Sequence, residues 1–169
     1  MIKRAGRKGV ERMTDLPMLA FRINGLDGAI ELFIDEVFGF PNETSYGGGY
    51  GAKGRISITA GGYSVKSQHY FTTGELYEFS KVLTECQKEI FGKAELRNVE
   101  GELGLVFAYN RLGQVNVSGA FQERLDVNTK LTFEFRTDQT RTQETLLDLN
   151  RVAAVFGDSE GVHKHNRKK

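Results

Sequence analysis

The chain has 169 residues, 39% hydrophobic and 27% charged, with a net charge of +1, enough to bury a full core in one domain. No apolar run reaches the roughly 20 residues of a membrane-spanning helix, and the start lacks the apolar segment of a secretory signal, so no membrane association is expected. A single cysteine, Cys86, excludes an internal disulfide and fits a reducing cytoplasm, where the protein is expected to reside.

Residues 1–16 carry five Lys/Arg against two acids and read as a mobile basic extension. They lack the aromatic interleaving of a nucleic-acid-binding arm, so no nucleic acid is expected as a partner. A single domain is expected over 17–157. It opens with a strand over Met18–Asn24, a turn at 25–28, and a second strand ending near Pro41 in which Ile30, Leu32 and Ile34 alternate with Glu31, Phe33 and Asp35.

The stretch 42–54 is rich in glycine and contains Gly49-x-Gly51-x-x-Gly54. That string binds dinucleotides only when a helix follows it. Here Arg55–Thr59 alternates as a strand, so no cofactor is expected, and the stretch reads as a flexible hairpin loop carrying Tyr46 and Tyr50. A further strand spans Tyr63–Phe71. Thr72-Thr73-Gly74-Glu75 then forms a capping box, and Leu76, Phe79, Leu83, Cys86 and Ile90 draw the apolar stripe of a helix over about 73–91 that Gly92 should end. Cys86 lies on that stripe and reads as a packed thiol.

After a short strand over 93–98, Leu103, Leu105, Phe107 and Tyr109 begin a run of alternation that continues through Val115, Val117 and Phe121 and then Leu131, Phe133 and Phe135. Turns at 110–113 and 126–128 separate these runs, giving a meander over 94–137. The period changes to 3.6 for a second helix over 141–156, which Gly157 ends. Residues 158–169, with His163 and His165, read as a disordered basic tail and not as a metal site. The body between the two basic ends holds eighteen acids against fourteen Lys/Arg.

Strands in blocks, with one helix between and one at the end, predict an α+β fold. The expected architecture is an antiparallel β-sheet of about seven or eight strands with both amphipathic helices packed on one face. Catalytic constellations are missing: His69 reads as an exposed strand residue, Glu100 and Glu102 as a solvated pair, and no GxSxG, HExxH or CxxC occurs. The residues alone therefore indicate a non-enzymatic binding or structural domain, with a small-ligand binder or small enzyme on the sheet's open face as the alternative.

Several segments in this order resemble the WapI-like immunity proteins of bacterial polymorphic-toxin systems. They are the TTGELY helix start at 72–77, the EGEL strand opening at 100–103, the GQVNVSG strand at 113–119 and the closing TDQT at 137–140. The resemblance implies a non-catalytic cytoplasmic protein whose partner is a cognate toxin domain. An acidic body suits a basic toxin such as a nuclease. The candidate contact residues are Tyr46 and Tyr50 with Asp35, Glu36 and Glu43, and secondarily Glu100, Glu102 and Asp138; Asp138 also stands where a cap for the last helix is needed.

Overall fold

A computed structural model describes residues 15–162. Within them the order is β1 (Met18–Asn24), β2 (Gly28–Val37), β3 (Gly51–Ala60), β4 (Tyr63–Thr72), α1 (Thr73–Glu89), β5 (Lys93–Arg97), β6 (Leu103–Tyr109), β7 (Gln114–Phe121), β8 (Leu131–Asp138) and α2 (Gln139–Phe156). The α+β class, the antiparallel pairing and the two helices are as expected. The strands divide into two four-stranded meanders, β1-β2-β3-β4 and β5-β6-β7-β8, where one sheet was anticipated. Alternation identifies which residues of a strand point inward; it carries no information on which strands share a sheet. The division falls where α1 separates β4 from β5.

The inner faces are the apolar sets that alternation marks. Ile30, Leu32, Ile34, Ile56 and Ile58 fill the first sheet, and Leu103, Leu105, Phe107, Val115, Val117 and Phe133 the second, all buried. The sheets meet where the Phe135 ring covers Gly25 and Gly28 and where Phe121 meets His69 edge to face, 5.8 Å between centroids. Phe79 of α1 packs on Phe107 of β6, 5.5 Å apart. At roughly 1.5–3 kcal/mol for each large apolar side chain withdrawn from water, these rows are the main stabilising contribution.

Helix α2 runs beside β1, an edge strand whose outer backbone groups lack a strand partner. The Arg22 N–H donates to Asp148 at 3.0 Å, and the Thr145 hydroxyl donates to the Arg22 carbonyl at 2.7 Å. Covering an edge in this way removes a template for unwanted pairing. The capping box at 72–75 forms as read: the Glu75 N–H donates to the Thr72 hydroxyl and the Thr72 N–H to the Glu75 carboxylate, each at 3.1 Å. At the other end of α1, Ile90 adopts the left-handed conformation and caps the helix, ahead of the expected Gly92. The β7–β8 connection, 122–130, is longer than the turn anticipated at 126–128.

Two further parts of the sequence reading are corrected. Strand β3 begins at Gly51, so the glycine-rich loop is shorter than expected. The segment 158–162, assigned to the disordered tail, is built into the body: Gly49 donates to the Ser159 carbonyl at 2.6 Å and Val162 to the Tyr50 hydroxyl at 2.9 Å. The N-terminal extension up to residue 14, and His163 and His165, lie outside the described residues.

Candidate partner-binding groove

Four aromatic or aliphatic side chains stand exposed around one groove of about 270 Å³: Phe38, Tyr46, Tyr70 and Val99. They come from three separated segments, namely the loop 38–50, strand β4 and the turn after β5. Tyr46 is fully exposed, whereas Phe38 and Tyr70 are about half exposed, at 46% and 47%. Apolar groups gathered in this way are the usual signature of an interaction surface. Glu75 and Glu100 are the charged residues lining the groove.

The loop is held rigidly for a segment so rich in glycine. Tyr50 and Thr73 exchange two bonds: the Tyr50 N–H donates to Thr73 Oγ1 at 2.8 Å, and the Thr73 N–H to the Tyr50 carbonyl at 2.9 Å. The Gly74 N–H donates to the Gly48 carbonyl at 3.2 Å, and Ser45 and Gly48 close a turn inside the loop. A Cβ on Gly74 would lie 2.3 Å from the Gly48 carbonyl carbon, and one on Gly49, whose φ is +60°, would lie 2.3 Å from Thr73 Oγ1. The glycines therefore serve a close approach of loop to helix start. The loop is tethered, where a flexible hairpin was expected.

Tyr50 is the candidate that the structure removes from the surface. Its ring is buried against Phe40 and Phe156, at centroid distances of 5.1 and 6.4 Å. Its hydroxyl donates to the Pro41 carbonyl at 3.0 Å while accepting from Val162. The sequence reading placed two tyrosines in one loop; one points out and the other anchors the loop to the core.

Asp35 and Glu36 occupy the outer face of the first sheet. Simple alternation would send adjacent residues to opposite faces, but the register of β2 shifts between Ile34 and Glu36. This bulge leaves Asp35 free to meet Arg55 at 2.9 Å, while Glu36 meets Lys53 at 3.9 Å on the same side. Gly54 makes the bulge possible, because a Cβ there would collide with the Phe33 carbonyl. Lys53 is also the register partner of Tyr70, so Glu36, Lys53 and Tyr70 form a row leading to the groove. Glu43 is exposed on the loop.

The remaining candidates separate. Glu100 lines the groove, but Glu102 turns inward and its carboxylate lies 3.0 Å from His69 Nδ1. Asp138 caps α2, accepting from the Arg141 N–H at 2.9 Å. His69, expected on the surface, is 1% exposed and stacked on Phe71. Burial lowers its pKa, and the Glu102 carboxylate opposes that shift. A ring so enclosed is a poor general base for a soluble substrate. Glu75 shifts the other way: burial raises its pKa and Glu100 adds to this, against the backbone N–H groups of Val99 and Thr72. Phe38, Tyr70 and Val99 were missed by sequence reasoning. The available signal was apolar residues at loop, turn and outward strand positions.

The sequence model of the Immunity protein WapI-like family matches residues 21–157, a span that includes every residue of the groove. The chain belongs to the WapI-like immunity protein family. No curated protein and no solved structure matches it. Membership in the WapI-like family suggests a non-enzymatic role and implies a toxin as the cognate partner. Among the described residues of this WapI-like protein, no group of three or more His, Cys, Asp or Glu is arranged to hold a metal ion, and no helix is long and apolar enough to cross a membrane.

Proposed function

We propose that this protein is a non-catalytic immunity protein, acting in the cytoplasm, that binds and neutralises the toxin domain encoded for it. The observation carrying this reading is the convergence of Phe38, Tyr46, Tyr70 and Val99 on one groove bordered by carboxylates. Aromatic anchors supply contact area at small entropic cost, and acidic groups around them set orientation and partner choice. The excess of acids over bases in the body favours a basic toxin, and nucleases, which must approach phosphates, are a natural class.

The test is capture of partners from native cells by the full chain tagged at its N-terminus, with identification by mass. A stoichiometric toxin domain, lost when Glu36, Glu43 and Glu100 are all changed to lysine, is the expected result. Glu36 gives up only a 3.9 Å contact with Lys53, whereas Asp35 is left out because reversing it would break its close two-oxygen pair with Arg55. Recovery of no toxin domain by the wild-type chain from cells that express one would defeat the proposal.

A further inference from the structure

We infer that the groove receives the guanidinium group of an arginine presented by the toxin. The inference deepens the immunity reading and depends on it for the source of that arginine. Phe38, Tyr46 and Tyr70 offer exposed ring surface around the cavity, and the face of an aromatic ring attracts a cation. Glu75 and Glu100 supply two carboxylates, and among the described residues no basic side chain pairs with either. Lys53, which pairs in register with Tyr70, is occupied with Glu36 at 3.9 Å.

The Glu75 carboxylate is fixed in place before any partner arrives. One oxygen accepts from the Val99 N–H at 2.8 Å and the other from the Thr72 N–H at 3.1 Å, so each keeps a lone pair. Glu100, exposed on the adjoining turn, is free to close on a ligand from the side. Both burial and the neighbouring Glu100 charge oppose ionisation of Glu75, and an entering cation relieves the second of these. A volume of about 270 Å³ falls below the roughly 300–1,000 Å³ of pockets that enclose drug-sized ligands, so it suits one side chain. Arginine is favoured over lysine because its planar group stacks on rings and donates to two carboxylates at once.

The experiment uses the full chain, labelled with ¹⁵N, titrated with acetyl-Gly-Arg-Gly-amide and with the same peptide carrying neutral citrulline. The arginine peptide is expected to shift the amides of Gly47, Val99 and Glu100, and to bind about tenfold or more tightly than the citrulline peptide, as a charge-assisted contact requires. Glu100→Gln and Tyr46→Ala, both at exposed positions, should weaken it while leaving the rest of the spectrum unchanged. Equal binding of the two peptides, shifts confined to other surfaces, or no shifts at millimolar peptide would overturn the inference. A toxin that is captured equally well by wild type and by both variants overturns it too, yet leaves the immunity reading standing. Arginine-peptide binding by a protein that captures no toxin would defeat the immunity reading, and with it the toxin as the source of the arginine, while the guanidinium specificity of the groove stands.

Discussion

Two tyrosines four residues apart have opposite tasks, and substitution separates them. Tyr46→Ala removes a fully exposed ring and should change unfolding free energy by no more than about 0.5 kcal/mol, while weakening toxin capture. Tyr50→Phe keeps the ring but strands the Pro41 carbonyl and the Val162 N–H, at a cost of about 1–3 kcal/mol in urea unfolding. His69 is the residue where pH matters. In the unfolded chain its imidazole titrates near 6.5; in the fold, burial holds it lower despite Glu102. The unfolded state therefore takes up a proton first as pH falls. Its contribution to stability is complete above about 6.5 and declines below that value. Urea midpoints measured between pH 7 and 5 should fall for wild type and fall less steeply for His69→Gln. Equal slopes would show that the imidazole does not titrate differently in the two states.

At the scale of elements, both helices begin on side chains legible in the sequence. Thr72→Ala and Asp138→Ala should each cost about 1 kcal/mol through loss of a cap. Asp138→Ala should leave toxin capture intact, which separates a capping role from a contact role. The strands, their faces and the two helix stripes were equally legible, because each depends on local periodicity. Less visible was anything decided by chain segments distant in sequence. The bulge that puts Asp35 and Glu36 on one face depends on Gly54 in the neighbouring strand. The burial of His69 depends on Phe121 of the second sheet and on Glu102 in the turn that leads into it. The groove joins a loop, a strand and a turn whose neighbourhood no pattern in the sequence announces, so Tyr46 and Glu100 were found singly and never as neighbours. The segment 158–162 illustrates the same limit: its composition is that of a tail, yet it holds the loop. Truncation after Gly157 should accelerate hydrogen exchange at the Gly49 amide, which donates to Ser159; truncation after Val162 should not.

For the molecule as a whole, the charge distribution bears on encounter more than on final affinity. If the toxin is basic, as proposed, its association with this acidic body should slow about tenfold or more when salt rises from 20 to 500 mM, with a much smaller change in dissociation rate. Stopped-flow mixing with the captured toxin measures this, and a salt-independent association rate would mean that the acids around the groove do not steer. The glycine-to-glycine seam between loop and helix has a further consequence for diversification. Positions 48, 49 and 74 are sterically committed to one another, whereas Glu43 and Tyr46 stand exposed on the scaffold they secure. A library randomised at those two exposed positions would sample new recognition surfaces at constant architecture, which is the division of labour familiar from antibody loops on their framework.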